Sequence, residues 1–239
     1  MKNLEIIFED DNYIGINKPS GMLTIPDRFD GNLPSVIGEL KKKYTDVFTT
    51  HRIDKFTSGV LCFAKNEAAH KHLSLQFEHH TLHKTYTTLV HGETPAEGII
   101  NYKIIEDGFH PGRMEASEKY GKDAITKFKT LRNYKANISL VEAYPETGRT
   151  HQIRVHFLAI GHPLLIDEMY GTDQPFLLSS VKKKYKFGKF QENENPLMSR
   201  LSLHASKLSF KNIVDEKPII IEAPLPKDFM AVIKQLEKL

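Results

Sequence analysis

An α+β fold with a mixed, mainly antiparallel sheet and flanking helices and loops is what this sequence predicts, on three observations. Short apolar runs rich in β-branched and aromatic residues recur along the chain. Helical stripes stand between them at irregular intervals. The regular strand–helix alternation of a parallel doubly wound sheet is missing.

Taken in order, Leu4 to Glu9 and Tyr13 to Asn17 read as short strands, followed by the turn Lys18-Pro19-Ser20-Gly21. Ser35 to Tyr44 predicts a helix, with Val36, Ile37 and Leu40 at helical spacing. Gly59 to Lys65 predicts a buried strand. Asn66 then caps a helix through Phe77, with Ala69, Leu73 and Phe77 on one stripe. Thr85 to Val90 is a strand. Ala124 to Leu131 and Ile138 to Ala143 predict an antiparallel pair around a turn at Asn133 to Ala136. Thr150 to Ile160 predicts a helix with Ile153, Phe157 and Ile160 on its core side, closed by Gly161 and Pro163. The stretch 172–200 is polar and weakly periodic and is expected to be an insertion. Strands Leu203 to Phe210 and Pro218 to Glu222 and a helix from Pro226 complete the chain, expected to be one domain over 1–239.

Composition narrows the class. The 239 residues are 40% hydrophobic and 26% charged, as in a globular protein. The start of the chain lacks the basic-then-apolar pattern of a secretory signal, and the longest apolar runs are far too short to cross a bilayer. The one cysteine, Cys62, reads as a small core residue. A cytoplasmic protein without membrane association is expected. The net charge of +3 argues only weakly for a polyanionic partner. Of two lysine runs, Lys41-Lys42-Lys43-Tyr44 reads as a solvated face. Lys182 to Phe190 interleaves lysines with aromatics and is equally compatible with contact to phosphates and bases and with a solvated loop.

Spacing excludes several chemistries. No two glycines stand two apart, so a dinucleotide fingerprint is absent, and the P-loop, HExxH, CxxC and GxSxG patterns are absent too. The histidines at 70, 72, 79, 80 and 83 have no matching cysteine or carboxylate set, so no metal site is expected. His51-Arg52-Ile53-Asp54 is similar to a kinase catalytic loop but has an extra residue between arginine and aspartate, and the other kinase motifs are missing.

Three segments remain dense in chemically useful residues: Thr50 to Gly59, Lys84-Thr85-Tyr86, and Glu146 to His156. In the last, Arg154 follows core position Ile153 and should lie at the core's edge, where it needs an anionic partner. Asp54, beside a buried strand, is the natural candidate. Such a pair keeps a carboxylate ionised and oriented, as a nucleophile or general base requires. A purely structural ion pair is the competing reading.

Together these segments resemble the RluA-type family of RNA pseudouridine synthases. HRIDKFTSGVLCFAK is similar to the family's HRLD-x-x-TSG strand, KTY to its Lys-x-Tyr motif, and ETGRTHQIRVHFLAIGHPLLIDEMYG to its GRTHQIR-x-H helix and following His-Pro turn. NKPSGML and LHASKLSF add support. The resemblance implies the pseudouridine synthase catalytic fold and a cofactor-free reaction. In it a uridine of ribosomal RNA or tRNA flips out, its glycosidic bond breaks, the uracil turns, and a carbon-linked bond forms. It implies Asp54 as the catalytic aspartate, Tyr86 as the tyrosine that stacks on the base and is implicated in taking its ring proton, and Arg154 as the basic partner of the aspartate. Arg52 would fill the gap left by the flipped base. Arg149 and His151 are further RNA-binding candidates, Arg149 as a phosphate-positioning group.

The chain departs from the pattern at Phe56, where an acidic residue is common, at Ile166, where a glycine is common, and at Met22 to Pro26. These changes bear on the substrate, with ribosomal RNA slightly favoured over tRNA. The small S4-like N-terminal RNA-binding domain of many relatives is not expected here. RNA is the expected partner, and no obligatory protein partner is inferred; a monomer is the default. The rival readings are a non-catalytic RNA-binding protein on the same fold and a metal-dependent nucleic-acid hydrolase.

Overall fold

The structure is a computed structural model and describes residues 4–28, 30–182, 185 and 193–239. Its elements begin with β1 (Glu5–Glu9), β2 (Tyr13–Lys18), α1 (Val36–Leu40), β3 (Phe48–Thr49), β4 (Ser58–Ala64), α2 (Glu67–Glu78) and β5 (His83–His91). They continue with β6 (Glu97–Asn101), β7 (Lys103–Glu106), β8 (Met114–Ser117), β9 (Ile125–Tyr134), β10 (Ile138–Pro145) and α3 (Gln152–Ala159). The last three are β11 (Leu203–Lys211), β12 (Pro218–Glu222) and α4 (Lys227–Leu236). Most strand pairs are antiparallel, and the fold is the α+β class that the sequence predicts. Two compact units make up the chain: Met1–Tyr86 with Leu203–Pro224, and Thr87–Ser202 with Leu225–Leu239.

In the first unit the strands run β1-β2-β4-β11, with β12 on β11 and β3 on β4. Strands β2 and β4 are covered on both faces. Tyr13, Val60, Cys62 and Leu73 pack in one cluster, and Ile14, Leu61, Phe63 and Leu40 in another. Burial on both faces is why β4 reads as an unbroken apolar run rather than an alternating one. Asn66 caps α2 as expected, its Oδ1 accepting from the Ala69 N–H at 2.8 Å.

The join of β4 to β11 is parallel, pairing His204 with Ser58 and Ala205 with Gly59. Gly59 has φ +110°, and a Cβ there would lie 2.1 Å from the Ala205 carbonyl oxygen. Only glycine permits both that dihedral and that backbone approach. The glycine of the Thr-Ser-Gly stretch is therefore a packing requirement at the point where the Asp54 loop enters the sheet.

In the second unit β10, β9 and β6 lie side by side in the order β10-β9-β6, and β7 and β8 form a separate hairpin. Phe229, Val232 and Ile233 of α4 pack with Leu89, Tyr134 and Leu165. The β9–β10 turn lies later than the sequence suggests. Tyr134 pairs with Ile138, and Asn137 takes the left-handed conformation at φ 58°. A three-residue hairpin loop ending in a left-handed residue matches strand twist, and asparagine tolerates it. Strands β6, β7 and β8 were not expected. Each is short, and only Ile100 in β6 and Ile104 in β7 are buried, which leaves almost no alternation to read. Helix α1 ends at Leu40, earlier than predicted, after which the chain continues in turns.

The 172–200 stretch is anchored at both ends. Phe176 and Met198 are buried in the core cluster and pair across an isolated bridge. The lysine–aromatic run at 182–190 falls largely outside the described residues.

Candidate active site

Asp54 sits on the irregular loop between β3 and β4, and side chains from the preceding β2 turn stitch that loop in place. Lys18, fully buried, donates from Nζ to the carbonyls of Pro19 (3.1 Å), Met22 (2.7 Å) and Lys55 (2.8 Å). The Thr24 hydroxyl donates to the Ile53 carbonyl at 3.0 Å, Ser20 Oγ to the Phe56 carbonyl at 2.6 Å, and the Gly21 N–H to the Lys55 carbonyl at 2.9 Å. The backbone on either side of Asp54 is thus gripped from the Asn17–Thr24 turn. That grip is the physical content of the NKPSGML stretch. Lys18 was missed as a site residue because a lysine after a strand reads from sequence as solvent-exposed.

Beyond Asp54 the chain is pinned again. The Thr57 N–H donates to the Asp54 carbonyl at 3.1 Å. Ser58 Oγ lies 2.9 Å from His204 Nδ1, and His204 Nε2 donates to the Ala223 carbonyl at 3.2 Å. A neutral His204 then accepts from the serine. The histidine of the LHASKLSF stretch serves as a buried strut.

Tyr86 belongs to the same unit as Asp54 and packs half-buried against the cluster that holds Ile53 and Leu61. Burial first, and the negative charge of Asp54 second, push its phenol well above the usual range. At neutral pH it is therefore an uncharged aromatic surface, suited to stacking on a base. Two residues earlier, burial draws the Lys84 ammonium down to about 8. His51 stacks on Phe77 with ring centroids 4.5 Å apart, and its Nε2 accepts from the Cys62 N–H at 3.0 Å. Burial, helped by the charge of Lys84, pulls His51 down to about 3 and keeps it neutral. Arg52 is exposed.

The second unit holds the Glu146–His156 segment. Helix α3 begins from His151, which takes φ 55° and makes no side-chain cap. Left-handed conformations away from glycine are uncommon and tend to mark functional turns. Gln152 instead ties the turn before the helix to β9. Its Oε1 accepts from Thr147 Oγ1 (2.7 Å) and the Arg149 N–H (3.0 Å), and its Nε2 donates to the Ile125 carbonyl (2.9 Å) and Thr126 Oγ1 (3.0 Å). Thr126 Oγ1 in turn lies 2.9 Å from His156 Nδ1, and His156 Nε2 donates to the Tyr102 carbonyl at 3.2 Å. Gln152 and His156, one turn apart, bolt α3 to β9. Burial lowers the His156 pKa, consistent with a neutral ring.

Arg154 lies between those two polar residues and is buried. Its Nε donates to Asp167 Oδ2 at 2.8 Å and its Nη2 to Asp167 Oδ1 at 2.7 Å. The sequence points to Asp54 as its partner; within its own unit the partner is Asp167, which sequence reasoning did not single out. Asp167 lies in the Asp-Glu-Met-Tyr-Gly stretch that follows the His-Pro turn. Tyr170 of that stretch places its ring 4.8 Å from the Arg154 guanidinium carbon, and its hydroxyl lies 2.8 Å from His151 Nδ1. Arg149 donates from Nε to the Asp123 carbonyl at 3.0 Å. Among the described residues, no group of three His, Cys, Asp or Glu side chains could hold a metal ion, and no helix is long and apolar enough to cross a membrane.

Comparison with known proteins follows the same segments. A family model described as RNA pseudouridylate synthase matches residues 12–159. The chain is 38% identical over 232 residues to an uncharacterized RNA pseudouridine synthase, YhcT, of Bacillus subtilis (strain 168), spanning 94% of this chain and 70% of that protein. It is 36% identical over 211 residues to the dual-specificity RNA pseudouridine synthase RluA of Vibrio vulnificus (strain CMCP6), spanning 86% and 77%. Among solved structures, human RNA pseudouridylate synthase domain containing 1 superposes with TM-score 0.69 at 26% identity, covering 94% of this chain and 84% of that one.

Proposed function

We propose that this chain, which belongs to the RNA pseudouridylate synthase family, isomerises a specific uridine in ribosomal RNA or tRNA, with Asp54, Tyr86 and Arg154 as its catalytic residues. The observation that carries this reading is that the family match over 12–159 contains all three, together with Arg52, Arg149 and His151.

In this reading the RNA is held through its phosphates and bent open at the target, with Arg149 and His151 as contacts and Arg52 filling the space left in the stack. The extruded uracil lies on the Tyr86 ring. Asp54 supplies the carboxylate that acts on the sugar, with Arg154 as the basic residue of the same reaction. The glycosidic bond to the ring nitrogen breaks, the uracil turns without leaving, the sugar is rejoined at a ring carbon, and that carbon loses its proton while the freed ring nitrogen gains one, so no atom is lost overall. Because the leaving uracil remains in place, the second carboxylate of a glycosidase is not needed. The elevated Tyr86 pKa supports a neutral stacking role and makes its phenolate scarce but strongly basic. The name of the Vibrio relative, a dual-specificity RNA pseudouridine synthase, supports more than one kind of substrate site.

The test is a transcriptome-wide map of pseudouridine in total cellular RNA from strains with and without the gene. The proposal expects at least one ribosomal RNA or tRNA site to disappear and to return on complementation. A map identical in both strains contradicts it.

A further inference from the structure

We propose that Asp167 and Tyr170 are positioning residues that fix the edge and the face of the Arg154 guanidinium, and that Tyr170 ties this hold to the β7–β8 hairpin. The inference rests on the reading of Arg154 as a residue that serves the reaction.

A guanidinium on a flexible stem needs two constraints before its remaining N–H groups point in set directions: one in its plane and one on its face. Asp167 supplies the first, a side-on fork to Nε and Nη2 at 2.8 and 2.7 Å. The Tyr170 ring supplies the second, 4.8 Å from the guanidinium carbon. Asp167 engages two of the five N–H groups, so the ion pair does not exhaust the donors of Arg154.

The carboxylate is itself immobilised. Its Oδ1 accepts from the N–H groups of Met169 (3.0 Å) and Tyr170 (3.1 Å), and the Gly171 N–H closes the turn onto the Asp167 carbonyl at 2.9 Å. Asp167 and Tyr170 therefore belong to one rigid turn, which holds the arginine from two sides. Were charge compensation the only need, a mobile carboxylate would serve.

Tyr170 also reaches further. Its hydroxyl accepts from the Met114 N–H, the first residue of β8, at 2.7 Å and lies 2.8 Å from His151 Nδ1. The Arg113 guanidinium carbon is 5.5 Å from the same ring. One phenol therefore joins the hairpin, the left-handed residue that starts α3, and the arginine on α3.

The test uses the full chain and an RNA it converts, comparing single-turnover rate and RNA affinity in Tyr170→Phe, Asp167→Asn, Arg154→Lys and the Asp167→Asn/Arg154→Lys double variant. Tyr170→Phe keeps the ring and the packing and is expected to lower the rate about tenfold with affinity within about threefold. Asp167→Asn is expected to lower it about a hundredfold alone but no more than about twofold in the Arg154→Lys background, because it acts through that arginine. Multiplicative losses in the double variant, or a full rate in Tyr170→Phe, overturn the proposal. A second readout does not need activity. The Arg154 Nε–H resonance in a nitrogen-15 spectrum is expected to be protected from exchange in the wild type and to lose protection in Asp167→Asn, which weakens the fork that holds it. Unchanged protection overturns the proposal even if the wild type converts no uridine, a result that would count against the functional reading alone.

Discussion

The Arg154 guanidinium and the Asp167 carboxylate form a two-point ion pair in which both side chains are almost wholly buried, at 8% and 1% exposure. A charge placed in that environment persists only when it is paired and its hydrogen bonds are met. Asp167 supplies the paired charge and two of those hydrogen bonds from within the same unit, so α3 carries its cation already oriented.

Breaking this pair from one side should therefore be costly. Asp167→Ala leaves a buried guanidinium without its carboxylate and is expected to destabilise the protein by about 3–5 kcal/mol. Replacing both residues, as Arg154→Met with Asp167→Asn, is expected to recover part of that loss, because the asparagine side-chain oxygen still accepts from the Met169 and Tyr170 N–H groups. Urea unfolding of the single and double variants checks both statements, and equal losses in the two would contradict them.

Gly59 offers a sharper steric test. An added methyl group would meet the Ala205 carbonyl oxygen at 2.1 Å on a backbone at φ +110°. Gly59→Ala is expected to lower stability by about 3 kcal/mol or more, against about 1 kcal/mol for a typical substitution. Thermal unfolding reads the difference. A variant that melts with the wild type would show that β4 and β11 separate at little cost.

These two features also mark how far the sequence could be read. The strand at Ser58–Ala64 and the Asn66 cap were legible because they depend on runs of local residue type. The catalytic candidates were legible through motif resemblance. Asp167 was not, because its role depends on a turn returning 13 residues later to meet Arg154, and no periodicity encodes that return. Lys18 was hidden for a related reason: three carbonyls, two of them in its own turn and one 37 residues away, make a buried ammonium tolerable. Strands β6 to β8 were hidden by being short and largely exposed.

Two titrating groups near the Asp54 loop give a signed pH dependence. His51 has its pKa lowered from 6.5 to about 3, so between those values the unfolded chain binds the proton and the folded chain does not. Stability is then expected to fall as pH drops from about 6.5 toward 3. Lys84, lowered from 10.5 to about 8, acts with the same sign at higher pH and makes stability rise between those values. Denaturant midpoints measured across pH are expected to show a shallower acid limb in His51→Gln and a shallower alkaline rise in Lys84→Met. An acid limb as steep in His51→Gln as in the wild type would contradict the assignment of a neutral His51 stacked on Phe77.

The central claim is that the carboxylate of Asp54 does chemistry on a uridine instead of merely helping to hold RNA. Its most direct test is the single-turnover conversion of a target RNA by the wild type and by Asp54→Asn, with RNA affinity measured on the same preparations. The expected result is a fall in rate of at least ~1,000-fold with affinity changed by no more than about threefold. Turnover surviving in Asp54→Asn, or a parallel loss of rate and affinity, would contradict it.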